Sequence, residues 1–188
     1  MLTERFERAL VYATRLHRDQ RRKGSGAPYI SHLLAVCELT LEYGGDEDEA
    51  IAALLHDAIE DQGGARARAG ILHEFGPRVT EIVEGCTDTD QSPKPAWRAR
   101  KEAYIRHVAE ASSSVRLVSA CDKLHNARSL VMDYRVYGEA LWDRFTGGRE
   151  GTLWYYRAML NALRGAGSSA VVEELDRVVT ELEKLAYA

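Results

Sequence analysis

Apolar residues recur along most of this chain at the three- and four-residue steps of an α-helix. Near the start, Phe6, Leu10, Ala13 and Leu16 follow this spacing with charged residues between them, and Thr3 precedes them as a candidate N-cap. Comparable patterns predict helices over about residues 3–19, 29–43, 47–61, 66–75, 77–86, 95–111, 115–132, 150–164 and 169–186. No segment shows the apolar–polar alternation of a β-strand. The pattern therefore predicts an all-α fold, a compact bundle of many helices.

The third predicted helix, over residues 47–61, differs from the others. Its centre, residues 51–55, is apolar on nearly all sides, which is typical of a helix buried in a core. Its final turns nevertheless carry four polar residues, His56, Asp57, Glu60 and Asp61. Polar and charged groups at the end of a buried helix are costly unless a partner neutralises them. This polar end is therefore the first candidate for a functional site.

Length and composition are ordinary for a globular protein. The chain has 188 residues, of which 45% are hydrophobic and 29% charged. We expect residues 1–188 to form a single domain, with a core of about 3–132 and C-terminal helices of about 139–187 packing on it. The net charge of −4 argues against a nucleic-acid partner, because nucleic-acid binders usually carry a basic surface.

Cysteine usage and hydropathy bear on the compartment. Cys37, Cys86 and Cys121 form no C-x-x-C pair, so we expect free thiols in a reducing environment. The N-terminus lacks the apolar core of a signal peptide, and no apolar run approaches the length of about 18 residues that a membrane helix needs. These observations predict a cytoplasmic protein with no membrane partner.

The polar end of the third helix suggests a metal site. A divalent cation would neutralise Asp57, and histidine together with carboxylate suits Mn²⁺, Fe²⁺ or Zn²⁺ better than Ca²⁺ or Mg²⁺. His56 and Asp57 alone do not complete a site, and the further candidates are His32 and Asp122, each within an apolar helical pattern. The competing interpretation is a core His56 bonded to a backbone carbonyl, with Asp57 paired to a cation.

Other polar residues have simpler interpretations. His17 falls in the last turn of the first helix, where a cation complements the helix dipole, although a substrate contact stays open. His73 and His107 are expected at the surface. Residues 98–101, Arg-Ala-Arg-Lys, are expected to form a solvated helix face.

The order of His32, His56-Asp57 and Asp122 resembles that of the HD-superfamily phosphohydrolases. A closer resemblance, over about residues 9–132, is to the alarmone hydrolases, which are the hydrolase domains of stringent-response enzymes and the small stand-alone hydrolases. The motifs that carry it are His17-x-x-Gln20, Lys23–His32, Ala53–Asp61, Phe75-Gly76-x-x-Val79, Gly85-x-Thr87 and Asp122–Leu130.

This resemblance implies an activity and a set of site residues. The family hydrolyses the 3′-pyrophosphate of (p)ppGpp, releases pyrophosphate and uses Mn²⁺. The resemblance implies that Glu60 and Asp61 activate or position the attacking water. This role is physically reasonable for carboxylates one turn beyond the metal ligands. The metal ligands that it implies are His32, His56, Asp57 and Asp122. The nucleotide-pocket residues that it implies are Ser25, Tyr29 and Asn126, and the basic loop that includes Arg22 and Lys23 can meet the phosphates.

The sequence departs from the family in this basic loop. The family usually reads Arg-Lys-Ser-Gly, with the arginine stacking on guanine, whereas this chain aligns Lys23-Gly24-Ser25-Gly26. Lysine lacks the planar guanidinium that stacks on a purine. Arg22 could substitute if the loop shifts by one residue. The substrate is therefore expected to be (p)ppGpp or (p)ppApp.

Two other functions remain open. The chain could be an HD phosphatase or nucleotidase that acts on another phosphorylated nucleotide and releases orthophosphate. It could also be a non-catalytic nucleotide-binding or antitoxin-like regulatory module. Such a module has no evident reason to keep Glu60 and Asp61 beside a complete set of candidate ligands.

Overall fold

The computed structural model describes residues 1–91 and 93–187, and within them every regular element is helical. An isolated β-bridge joins Arg21 to Pro28. The predicted all-α fold is confirmed. The elements are α1 (Glu4–Leu16), α2 (Ile30–Glu42), α3 (Glu47–Leu55), α4 (Ala58–Asp61), α5 (Ala65–Cys86), α6 (Trp97–Glu110), α7 (Ser113–Tyr137), a 3₁₀ helix (Gly138–Arg144), α8 (Gly148–Gly165) and α9 (Ala170–Ala186).

Local capping chemistry sets several helix starts. The Thr3 side chain accepts a hydrogen bond from the Arg5 backbone N–H at the start of α1. Asp46 and Glu49 form a reciprocal capping box at the start of α3. The N-cap assignment of Thr3 that was made from the sequence is thus confirmed.

Helices α3 and α7 form the centre of the bundle. Residues 50–55 of α3 are all buried, and α3 packs against α1, α2, α5 and α7. Helix α7 also contacts α2, α5 and α9. Helix α9 packs on α7 and α8, and α8 packs on α6, so the C-terminal helices cover the side of the core that α3 does not.

The predicted continuous helix over 47–61 is wrong. Helix α3 ends at Leu55, and Asp57 has φ −96° and ψ 0°, a conformation outside the regular helix, before the single turn of α4 begins at Ala58. Because the helix is interrupted there, His56 and Glu60 do not lie on one continuous helical face. Asp57 is instead placed at a corner, where its carboxylate reaches His32 of α2 and Tyr29, the residue that precedes α2.

A second interruption agrees with the sequence pattern. The helices predicted over 66–75 and 77–86 form one run, α5, which is kinked at Gly76 (φ 84°, ψ 178°) next to Pro77. Only glycine adopts this φ readily.

No helix within residues 1–91 and 93–187 is both long and apolar enough to cross a membrane.

Gly85 marks the closest approach of α5 to the helix that carries Asp122. A Cβ atom built on Gly85 would lie only 2.4 Å from Cγ2 of the buried Val115 in α7. We therefore expect Gly85→Ala to lower the free energy of unfolding by about 1–3 kcal/mol, because the two helices must move apart or Val115 must leave its rotamer. Urea unfolding measures this change.

Gly165→Ala is the matched control for this substitution. Gly165 ends α8, and a Cβ atom there would have no neighbour within 4 Å among the described residues. The control should be neutral or stabilising by up to about 1 kcal/mol. Equal stabilities for the two variants would contradict the close packing of α5 on α7.

Candidate metal centre and active site

The four predicted metal ligands come from three separate places in the fold and meet at one point. His32 lies in the first turn of α2, His56 and Asp57 lie in the interruption between α3 and α4, and Asp122 lies within α7. Asp57 Oδ2 is 3.1 Å from His56 Nε2 and 3.6 Å from His32 Nε2. Asp122 Oδ1 is 3.2 Å from His32 Nε2 and 3.6 Å from His56 Nε2.

Both histidines direct one nitrogen toward this cluster because the other nitrogen is engaged. His56 Nδ1 lies 2.7 Å from the Ala53 carbonyl oxygen, to which it donates, and His32 Nδ1 lies 2.8 Å from His125 Nδ1. The two Nε2 atoms are buried, and neither has a hydrogen-bond partner in the described part of the chain. The ligand atoms of His32, His56 and Asp57 lie within 4.8 Å of one another, and Asp122 faces the same two nitrogens, a donor set that fits a divalent transition metal.

The electrostatics of the cluster also favour a cation. Burial by itself would raise the pKa of both carboxyls, but His56 holds the pKa of Asp57 well below its usual range, and Lys123 does the same for Asp122. Burial by itself would lower the pKa of His56, but Asp57 and Asp122 raise it well above its usual value. The site therefore keeps its carboxylates charged and requires positive charge between them.

Tyr29 supports this cluster. Its hydroxyl donates to Asp57 Oδ2 at 2.5 Å, and burial and the Asp57 charge raise its pKa far above the usual value, so it stays a donor. The ring of His17 stacks on Tyr29, with centroids 5.5 Å apart and planes 17° from parallel. The side chain predicted to shape the nucleotide pocket is thus also a direct partner of Asp57.

The two predicted catalytic carboxylates have different surroundings. Glu60 Oε1 accepts a hydrogen bond from Lys94 Nζ at 2.8 Å and lies 3.7 Å from Arg100 Nη1. Asp61 is exposed, and its Oδ2 accepts from Gln20 Nε2 at 2.7 Å. Glu60 is therefore held by cations, and Asp61 by a neutral amide.

The basic loop reaches the cluster through Arg22 and not through Lys23. Arg22 Nη2 donates to Asn126 Oδ1 at 2.7 Å, and its guanidinium lies 5.9 Å from the centre of the Tyr29 ring. Asn126 in turn donates to Asp122 Oδ1. Lys23 and Ser25 are exposed, and Ser25 Oγ accepts from the Ala27 backbone N–H. Of the predicted nucleotide residues, Arg22, Tyr29 and Asn126 are thus the ones that connect to the candidate ligands.

Residues 9–153 match the HD domain family. The chain belongs to this family. It is 39% identical over 125 residues to the guanosine-3′,5′-bis(diphosphate) 3′-pyrophosphohydrolase MESH1 of Xenopus tropicalis, a match that covers 65% of this chain and 67% of the relative. It is 38% identical over 128 residues to the GTP pyrophosphokinase rsh of Brucella melitensis, which covers 66% of this chain and spans only 17% of that longer protein.

Two solved structures share the fold of this chain. A metazoan ortholog of SpoT, described as hydrolysing ppGpp and acting in starvation responses, superposes with a TM-score of 0.79 at 30% identity over 95% of both chains. The lmo0812 protein of Listeria monocytogenes superposes with a TM-score of 0.72 at 26% identity, over 81% of this chain and 99% of that one. The resemblance inferred from the sequence motifs is confirmed.

Two structural interpretations of the sequence are corrected by the HD domain structure. His17 is 1% exposed, and burial lowers its pKa, so it is a neutral buried group and not a surface cation at a helix end. Residues 98–101 are not uniformly solvated, since Arg100 and Lys101 are half-buried and both bind the Asp88 carboxylate. Periodicity missed these contacts because Asp88 lies in the irregular connector before α6.

Several residues of the HD domain site escaped the sequence analysis. Lys123 bonds Asp122, and His125 contacts His32. Burial and the neighbouring His32 lower the pKa of His125 to about 4, so it is a neutral partner. Lys123 and His125 both lie inside the Asp122–Leu130 motif, and their place in that motif could have identified them as site residues. Nothing in the local pattern distinguished Lys94.

The raised pKa of His56 predicts that metal binding expels a proton. The Asp57 and Asp122 charges raise the pKa of His56 and so favour its protonated form in the metal-free protein, whereas a metal ligand must be neutral imidazole; Mn²⁺ or Zn²⁺ should therefore release up to about one proton per site. The apparent metal affinity should fall as the pH is lowered. Calorimetry in buffers of different ionisation enthalpy counts the protons. A release that stays at zero between pH 6 and 8, a range set by the usual histidine pKa of about 6.5, would contradict this account.

Proposed function

We propose that this protein hydrolyses the 3′-pyrophosphate of alarmone nucleotides, (p)ppGpp or (p)ppApp, in a Mn²⁺-dependent reaction that releases pyrophosphate. The observation that carries the proposal is the convergence of His32, His56, Asp57 and Asp122, with Glu60 and Asp61 in the helical turn that directly follows Asp57. The relatives named as 3′-pyrophosphohydrolases and the structural neighbour described as hydrolysing ppGpp support it.

The two histidines and two aspartates would hold the metal ion. When bound, the ion would lower the pKa of a water molecule and polarise a phosphoryl oxygen. Tyr29 would keep Asp57 oriented, and Lys123 and Asn126 would do the same for Asp122. Such outer partners typically change metal affinity or activity about 10- to 100-fold when removed.

Asp61 is the better placed of the two carboxylates to take a proton from the attacking water. Glu60 is bound to Lys94 and lies close to Arg100, so its charge is already engaged. Asp61 is exposed and is bound by the neutral amide of Gln20. We therefore assign Asp61 to proton transfer and Glu60 to orienting the water and the neighbouring cations.

Cationic side chains lie beside Glu60 and beside Asp122, and this positive charge suits a heavily phosphorylated substrate. Lys94 and Arg100 lie beside Glu60, and Lys123 lies beside Asp122. Lys101 lies 4.7 Å and Lys123 5.7 Å from the centre of the Tyr155 ring, so this aromatic side chain has two cations close to it. Positive groups placed in advance stabilise the charge that develops on a leaving pyrophosphate.

Arg22 is the residue that we assign to the purine base. It faces Asn126 and Tyr29, and a planar guanidinium can stack on a purine, whereas the exposed Lys23 cannot do so equally well. The loop thus presents an arginine despite its departure from the family pattern. This assignment accommodates guanine and adenine alike.

The decisive assay for the proposal incubates pure protein and Mn²⁺ separately with ppGpp, pppGpp and ppApp. We expect release of pyrophosphate and recovery of the corresponding 5′-phosphorylated nucleoside, with activity removed by a chelator and restored by Mn²⁺. No pyrophosphate from any of the three would sink the proposal. Release of orthophosphate whether or not the nucleotide carries a 3′-pyrophosphate would indicate an HD phosphatase instead.

A double substitution distinguishes an enzyme from a non-catalytic binder. Replacing both Glu60 and Asp61 with alanine should abolish turnover by an enzyme while metal binding is retained, whereas a non-catalytic binder would be barely changed.

The loop assignment predicts unequal effects of two neighbouring substitutions. Arg22→Lys should raise KM for the alarmone about 10-fold, because it keeps the charge but loses the planar stacking group. Lys23→Ala should change KM less than about threefold, a loss in the range of one exposed ion pair. Steady-state kinetics of the two variants decide the matter, and a larger effect at Lys23 would reverse the assignment.

A further inference from the structure

The groups that surround Asp61 point to a residue whose role is to position it. We propose that Gln20 is a positioning residue that fixes the Asp61 carboxylate for proton transfer, and that His17 and Gln62 lock Gln20 in place. This inference rests on the proposed hydrolytic function, because it concerns the carboxylate assigned there to the attacking water. Gln20 Nε2 donates to Asp61 Oδ2 at 2.7 Å, across 41 positions of the chain.

The orientation of the Gln20 amide is determined by its three partners. Its Oε1 lies 2.6 Å from His17 Nδ1 and 2.6 Å from Gln62 Nε2, and both of these nitrogens can donate. Reversing the amide would set its oxygen against the Asp61 carboxylate, where two acceptors repel. The arrangement is consistent only when His17 carries its proton on Nδ1 and Gln20 directs its N–H toward Asp61.

The backbone around Gln20 is held as firmly as its side chain. The Gln20 N–H donates to the His17 carbonyl at 3.1 Å, and the Gln20 carbonyl accepts from the Tyr29 N–H at 2.9 Å. His17 is buried and stacks on the Tyr29 ring. The same short segment therefore supports Asp57 through Tyr29 and Asp61 through Gln20.

Asp61 needs this support because its own surroundings give little. It is the last residue of α4, a helix of four residues, and it is exposed to solvent. An exposed side chain in a short helix would otherwise sample several rotamers, and a misplacement of about 1 Å at a reacting group can cost about 100-fold in rate. The hydrogen bond from Gln20 selects one of these rotamers.

The kinetic test compares substitutions at Gln20. Gln20→Met removes the donor and keeps the side-chain length, and Gln20→Glu keeps an oxygen toward His17 and Gln62 but places an acceptor against Asp61. We expect kcat to fall about 10- to 100-fold in both variants, with KM and the Mn²⁺ dissociation constant within about threefold of the parent. Asn161→Leu, on the exposed face of α8, is the control and should leave all three values unchanged.

The outcomes separate a positioning role from a structural one. A kcat within twofold of the parent, or a loss of activity that follows KM, metal affinity or the melting temperature, would overturn the inference. Gln62→Met removes one of the two groups that hold the Gln20 oxygen and leaves the bond to Asp61 intact, so its loss in kcat should be smaller than that of Gln20→Met.

A second measurement does not depend on activity. In ¹H–¹⁵N spectra, the side-chain amide signals of Gln20 should be slow to exchange and should move in Asp61→Asn but not in Asn161→Leu. If the parent protein hydrolyses no alarmone and these signals behave as expected, the proposed function fails and the pairing of Gln20 with Asp61 stands. Signals that are unaffected by Asp61→Asn would overturn the pairing, whichever substrate is turned over.

Discussion

Two carboxylates lying next to an apolar core are the constraint on which this structure depends. Asp57 and Asp122 face the buried Nε2 atoms of His32 and His56 at 3.1–3.6 Å, where an unpaired charge would be very costly. Either a proton on His56 or a divalent cation can supply the positive charge that these two carboxylates require. The competition between the two explains why a cluster suited to a metal also raises the pKa of a histidine within it.

The backbone is arranged to bring these groups together. His56 directly follows the buried helix α3, and at the interruption the Asp57 carboxylate reaches His32 of α2 and Tyr29. The interruption also separates the candidate ligands from Glu60 and Asp61. These two carboxylates then acquire partners of their own, cations from the connector and α6 for Glu60 and an amide for Asp61. One local departure from helical geometry thus separates the candidate ligands from the two carboxylates that we propose act on the water.

The loop between α1 and α2 supports both halves of the site. Through Tyr29 it orients Asp57, through Gln20 it contacts Asp61, and through Arg22 it reaches Asn126 beside Asp122. In each contact the loop residue lies outside regular secondary structure, and all three loop side chains are half-buried. This basic loop is therefore anchored near both of its ends, by Gln20 and by Tyr29.

The sequence by itself determined most of the helices, the capping residue Thr3, the family and the identity of the candidate ligands. Those features depend on periodicity and short spacings, whose energetics are local. Only the tertiary structure decided that His17 is buried and neutral, that Arg100 and Lys101 bind Asp88, and that Arg22 rather than Lys23 faces the site. These assignments depend on partners far away in the chain. The interruption at Asp57 belongs with them, because an unbroken helical pattern concealed a corner that long-range electrostatics stabilises.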